Sequence, residues 1–488
     1  MSHFLLTSTP IYGHVAPMLT VGRGLVSRGH QVTMLTGRKY RGAVESHAMT
    51  FRPLPEAVDY DDANLDAWLP GRKRFRGLAA GRYDIIGIFI RPLRSQYYAF
   101  ADALASESYD AVVSETAFLG VLPVLLSVPA GHRIPIAGVS ATPLSVTSVD
   151  CAPFGSGIDP GRSAHTRRRN RLLNAVLQRG PLKPIQDALD DALAGLSLPA
   201  TADSYFDQVT KFDVTFHLAV SAFEYPRREL PSTVRFVGPL RSTDPEGSCL
   251  PSWWADLQRS WPVVHVTQGT MDNIDFGKLL VPALRGLATE NVLVVASTGG
   301  RPVSALLERL GGPLPSNARV ATFLPYDQLL PHTDVMITNG GFGGVQRALS
   351  YGVPLVVAGT TEDKPEVAGR VAWSGTGINL RTGTPSPARL RRAVRSALAD
   401  PRYRIEAARL RREIIGAGNP LGTVADTIES LVLHASTADS ERVGGRNVGV
   451  GVDVLHGVVV GLQSEEDRVG NLEGGQPEVG AFLHLGQN

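Results

Sequence analysis

Short apolar runs rich in β-branched residues alternate with longer amphipathic stretches along most of the chain, the pattern of repeated strand–helix–strand units. The first unit opens with Phe4-Leu5-Leu6, turns through Gly13-His14-Val15-Ala16-Pro17, and continues as a helix carrying apolar Met18, Leu19, Leu25 and Val26. It closes in a strand over residues 32–35, after a helix stop at residues 27–30. The same grammar returns from Val263: a strand over residues 263–266, the turn Gln268-Gly269-Thr270, a helix from Leu279 to Leu287, and a strand over residues 292–295 before Gly299-Gly300. Phe4 and Val32 stand 28 positions apart, Val263 and Val292 stand 29 apart, so each half opens with a unit of one size. The pattern predicts an α/β protein with two doubly wound domains in tandem.

A length of 488 residues suits two domains of about 200 residues each. The stretch 237–252 is rich in Pro, Gly and Ser without a clear period and reads as the linker, which assigns residues 1–236 to one domain and 253–433 to the other. From 434 to 488 the composition turns Gly- and Val-rich and loses helical period, so poor packing is expected there and no function is assigned. Forty-three per cent apolar and 19% charged residues exclude wholesale disorder. Lys and Arg number 48 against 46 Asp and Glu, which lacks the basic surplus that a nucleic-acid partner calls for. Cys151 and Cys249 have no ligand spacing around them, so neither a disulfide framework nor a zinc site is readable. The amino terminus does not read as a signal peptide, and the most apolar stretch, 118–128, is interrupted by Pro123 and falls short of a span of about 20 residues. A cytoplasmic, soluble protein is expected.

The densest chemical signal follows the strand Val335-Met336-Ile337, where Gly340, Gly341, Gly343 and Gly344 fill four of five positions before a helix through Val345, Ala348 and Leu349. In an open parallel sheet, ligands bind beyond the carboxyl ends of the strands. Free amides and the positive dipole end at such a helix start attract an anion, and glycine lets a diphosphate approach the backbone. A tight helix–strand junction is the other reading. A nicotinamide or flavin dinucleotide fits poorly, because Gln346 breaks the G-x-G-x-x-G spacing, and no G-x-x-x-x-G-K-[ST] occurs.

The segment FLPYDQLLPHTDVMITNGGFGGVQRALSYGVPLVVAGTTEDKPEVAGRV, from Phe323 to Val371, resembles the donor-binding signature of the nucleotide-sugar-dependent glycosyltransferases of the UDP-glycosyltransferase superfamily. It is most similar to an actinobacterial branch that includes mycobacterial glycolipid glycosyltransferases. The resemblance implies the GT-B fold, two Rossmann-like domains facing across a cleft. It implies that Phe323 stacks on the nucleotide base, that Thr270 lies near the phosphates, and that Asp363 takes hydrogen bonds from sugar hydroxyls. Asn339, Gly340, Gly341, Gly343 and Gly344 then hold the diphosphate. Asn339 stands in place of the usual histidine, Gly344 in place of a Ser or Thr, and Lys364 in place of a Gln that contacts the sugar. Arg347 occupies the place of a Glu that holds the ribose hydroxyls, so a deoxyribose donor such as a dTDP-sugar is expected to serve as well as or better than a UDP-sugar.

In the family the histidine of G-H-x-x-P is the general base, a role that His14 inherits. Its pKa range suits the task. Glu115, ending the strand Ala111-Val112-Val113, matches the usual Asp that orients the imidazole, with one methylene more. The resemblance implies an inverting transfer to a hydroxyl of a hydrophobic small molecule or glycolipid, without a cofactor or obligatory metal, and no D-x-D pair is evident. The loop 140–160 is expected to help build the acceptor pocket. The basic stretches 71–77 and 165–173 read as solvated helix faces or, alternatively, as peripheral contacts with anionic membrane. Two competing functions on the same architecture are a sugar-nucleotide epimerase and a catalytically silent nucleotide-sugar binding protein.

Overall fold

Two parallel sheets organise the chain in the computed structural model, which describes residues 1–240, 250–258, 260–270 and 272–443. The first contains β1 (His3–Thr7), β2 (Gln31–Thr36), β3 (Thr50–Pro53), β4 (Ala111–Glu115), β5 (Ile136–Ser140), β6 (Val214–His217) and β7 (Val234–Phe236). The second contains β8 (Val263–Thr267), β9 (Leu293–Ser297), β10 (Ala318–Ala321), β11 (Val335–Thr338), β12 (Leu355–Val357) and β13 (Gly377–Asn379). Their spatial orders are β3-β2-β1-β4-β5-β6-β7 and β10-β9-β8-β11-β12-β13, both doubly wound.

Helices cover both faces of each sheet, and this is why Phe4-Leu5-Leu6 reads as an unbroken apolar run. Phe4 and Leu6 face a core shared with Val15, Met18, Val21 and Leu25 of the first helix, Tyr12–Ser27, while Leu5 faces Phe100 and Phe118 on the other side. In the second sheet Val264, Val266 and Ile337 line one core, and Met336, Leu355 and Val357 line the opposite one. Strand order reverses beside β1 in the first sheet and beside β8 in the second. Register there sets Thr7 opposite Ser114 and Thr338 opposite Thr267, so the chain ends leaving β1 and β4, and β8 and β11, open side by side.

One domain boundary needs correction. Residues 420–433, assigned by composition to the second domain, belong to the helix Pro420–Val443, whose Val424, Ala425 and Ile428 complete the first domain's core with Phe4 and Leu6. Arg28 reinforces the docking through Asp426 at 2.6 Å, and His30 through Glu429 at 2.9 Å. The helix also carries residues 434–443, where loss of structure is expected; the rest of that tail, 444–488, and linker residues 241–249 lie outside the described residues.

Candidate active site

At the crevice between β1 and β4, His14 and Glu115 meet with Nδ1 and Oε1 3.0 Å apart and side chains 12% and 1% exposed. His14 sits in the first turn of the helix Tyr12–Ser27 rather than in an open turn before it. The helix starts early because Ile11 takes the extended cap conformation and its carbonyl accepts the amides of His14 and Val15. Glu115 Oε1 also accepts the Ala117 amide at 2.9 Å, whereas His14 Nδ1 and Glu115 Oε2 lack an aligned hydrogen-bond partner. The pair is thus close and poised, short of full alignment. Burial pulls the imidazole pKa down, but the Glu115 carboxylate, with Asp363 and Glu362 beyond it, favours the charged ring and leaves the pKa raised. Phe89, in the π-helical turn Ile85–Ile90, stands 5.7 Å from the imidazole between ring centres and adds an apolar wall. With Nδ1 toward the carboxylate, Nε2 is the nitrogen left to take a proton.

The glycines after β11 divide into two kinds. Gly340 has φ 93° and a Cβ there would lie 2.8 Å from Val357 Cγ1, so it makes the tight junction itself. Gly341 caps the helix Phe342–Ser350 without a side-chain bond, and a Cβ on Gly341 or Gly343 would meet nothing within 4 Å. Gly344 would touch only Met336 Cε, at 3.9 Å. Packing does not demand glycine at these three; the open space before an uncapped helix start is a cradle for an anion.

Phe323 is 65% exposed, and its ring lies against the bend at Gly300, where a Cβ would come within 3.0 Å of Cζ. Thr270 is exposed just past β8. Asn339 differs from a free phosphate contact: its Nδ2 donates to the Gln268 carbonyl at 2.5 Å and ties the two turns together. Gln268, which sequence reasoning missed, braces the same loop through the carbonyls of Asp272 and Asp275 at 3.2 and 3.1 Å and the Leu280 amide at 3.0 Å. Arg347 pairs with Asp327 at 2.7 Å. Lys364 is partnered as well, its Nζ held by Glu362 and by Thr361 Oγ1.

Asp363 is the N-cap of the helix Lys364–Trp373. Burial pushes its pKa up to about 6; Glu362 adds to the rise, while Lys364 and His14 oppose it. The charge of Asp363 favours the charged ring of His14, on the other side of the cleft. Arg72 spans the same gap: bound to Asp84 at 2.7 and 2.9 Å, it also reaches Glu362 Oε1 at 3.5 Å. One cation of the stretch 71–77 thus faces the cleft.

Behind Asp363 lies a buried ionic network that the sequence did not disclose. Arg370, 0% exposed, donates to Glu224 at 2.8 Å, to Glu366 at 2.8 Å and to the Leu144 carbonyl at 3.0 Å. Glu224 also meets His217 at 3.2 Å and the Leu144 amide at 3.1 Å. Burial opposes ionisation of Glu224, but Arg370, then His217 and Arg227, hold its carboxyl far below the usual range. Among the described residues no cluster of three His, Cys, Asp or Glu is arranged to hold a metal, and no helix is long and apolar enough to cross a membrane.

Residues 304–431 match the family model described as erythromycin biosynthesis protein CIII-like, C-terminal domain. The chain is 40% identical over 432 residues to 4'-demethylrebeccamycin synthase of Lentzea aerocolonigenes, an alignment covering 88% of this chain and 99% of that protein. It is 35% identical over 440 residues to UDP-glycosyltransferase 2 of Phaeomoniella chlamydospora, covering 88% and 95%. Among solved structures it is similar to the glycotransferase of kitacinnamycin, with a TM-score of 0.64, 22% identity, and coverage of 88% of this chain and 98% of that one.

Proposed function

We propose, from the premise that this chain belongs to the UDP-glycosyltransferase superfamily and is a glycosyltransferase of GT-B fold using a nucleotide-sugar donor and a small-molecule acceptor, that it inverts the sugar in one displacement with His14 as base. The observation that carries the reading is the buried pairing of His14 Nδ1 with Glu115 Oε1 at 3.0 Å, which leaves Nε2 as the nitrogen to take a proton. His14 Nε2 takes the proton of the acceptor hydroxyl while Glu115 stabilises the imidazolium that forms. The acceptor oxygen bonds to the anomeric carbon, and the electron pair of the breaking carbon–oxygen bond goes to the departing diphosphate. The amides at the start of Phe342–Ser350 receive that charge, Phe323 stacks on the base, and Asp363 accepts hydrogen bonds from the sugar. No step requires a metal.

The donor we favour is a UDP- or dTDP-sugar, with the second tolerated because position 347 holds Arg, paired with Asp327, rather than an acid for the ribose. The acceptor is a hydrophobic hydroxylated small molecule, in line with Phe89 beside the base. Purified protein is incubated with UDP-glucose or dTDP-glucose, first alone and then with a pool of hydroxylated hydrophobic compounds, and products are followed by mass spectrometry. A hexose adduct of an acceptor with β configuration by NMR is expected. Donor turnover without acceptor, or a retained α configuration, overturns the proposal, and a strict need for the ribose 2′-hydroxyl overturns the dTDP reading.

A further inference from the structure

The buried network ends on a loop of the acceptor side. Glu366 Oε1 accepts the amide of Gly155 at 2.8 Å and that of Gly157 at 3.3 Å. Both glycines have positive φ, 86° and 60°, a bend that turns the two N–H groups onto one oxygen. The other oxygen, Oε2, is held at 2.8 Å by Arg370, so the carboxylate cannot turn away without stranding a buried guanidinium.

We propose that Glu366 is a positioning residue that fixes the loop 151–160 against the donor-sugar end of the cleft and thereby sets acceptor affinity. The proposal rests on the reading that this loop walls the acceptor site. Glu366 lies in the first turn of the helix Lys364–Trp373, whose N-cap is Asp363, so the loop's anchor and the sugar's carboxylate ride on one rigid element. From the gripped loop, the Phe154 ring meets that of Phe206 at 5.8 Å between centres, tilted by 35°. The loop thus runs from the donor helix to the short helical turn Tyr205–Thr210 of the first domain. A carboxylate that accepts two backbone amides specifies one loop conformation, which an apolar contact would not do.

Glu366→Gln tests this. The amide offers one acceptor oxygen, so either the loop or Arg370 loses its partner. We expect hydrogen exchange in residues 151–160 to quicken and the acceptor KM to rise about tenfold, the lower end for a hydrogen bond to a charged group, while donor KM and kcat stay within about twofold. If Glu366→Gln does not fold, Glu366→Asp keeps the charge on Arg370 and draws the oxygens back from the glycines. Faster exchange with an unmoved acceptor KM overturns the positioning role, as does a parallel rise of both KM values with a lowered Tm, which marks general loosening. Unchanged exchange removes the tether itself. Absence of transfer by the wild type instead defeats the functional reading and leaves the exchange result interpretable.

Discussion

Replacing Glu115 by Gln changes one charged oxygen at the 3.0 Å contact with His14 and leaves the size of the side chain unaltered. Both groups are largely shielded from water, so the interaction with the imidazolium is that of a charge-assisted hydrogen bond, about 1.5–3 kcal/mol. Because the imidazolium exists only once the acceptor proton has been taken, nearly all of this is lost from the transition state, roughly 10- to 150-fold in kcat. His14→Ala costs more, about 10²- to 10⁴-fold, and the double variant should be no slower than His14→Ala, since Glu115 acts only through the ring. The pH profile carries an independent sign. Glu115 raises the His14 pKa, and the base works only when neutral, so removing the carboxylate lowers the pKa and moves the acid limb of activity to lower pH. The wild-type advantage therefore shrinks toward acid. The assay is acceptor kcat/KM at saturating donor from about pH 5 to 9. An acid limb that stays in place with a plateau within about twofold of wild type refutes the dyad.

Phe323→Ala should raise donor KM about 2- to 13-fold, from 0.5–1.5 kcal/mol of lost stacking, with Tm unchanged because the ring is 65% exposed. Asp363→Asn should abolish most donor turnover yet stabilise the unliganded protein. With its folded pKa raised to about 6, the stability linked to protonated Asp363 is full below the ordinary carboxylate pKa and is lost as pH rises through that value. The gain in urea melts therefore grows up to about pH 6 and stays below about 3 kcal/mol, since the side chain is partly open to solvent. Arg370→Met leaves Glu366 buried without its cation and Glu224 with only His217 and Arg227, and should cost about 3–5 kcal/mol in urea unfolding. Glu224 has a depressed folded pKa, so the stability it contributes is present above the ordinary carboxylate range and disappears on acidification; the difference between variant and wild type should narrow as pH falls.

Much of the site could be read before folding, and each failure has a physical cause. Gly341 and Gly343 were legible as an open helix start because that is a property of local backbone, whereas the exposure of the Phe323 ring is a result of the fold. Asn339 was legible as a residue of the turn, but its bond to the Gln268 carbonyl was not, since that carbonyl lies on the neighbouring strand's exit and is brought close by β8–β11 pairing. Lys364 stands two positions from Glu362, a spacing that does not by itself disclose the ion pair the two make. Glu366 and Arg370 have the i, i+4 spacing of an ordinary solvated helix pair. Their 4% and 0% exposure comes from the first domain closing over them.

By itself the sequence determined two doubly wound halves, an uncapped glycine helix start and the inventory of acid, base and aromatic groups. Periodicity, turn chemistry and side-chain type are local properties, and they are written wherever parallel strands are buried on both faces. Only the tertiary structure decided that His14 meets Glu115, that Arg72 reaches Glu362, and that the helix Pro420–Val443 returns to the first domain. An amphipathic stripe states that a face must be buried without stating against what. The meeting of two chain ends depends on which strands pair and in what register, a choice made by the whole core at once.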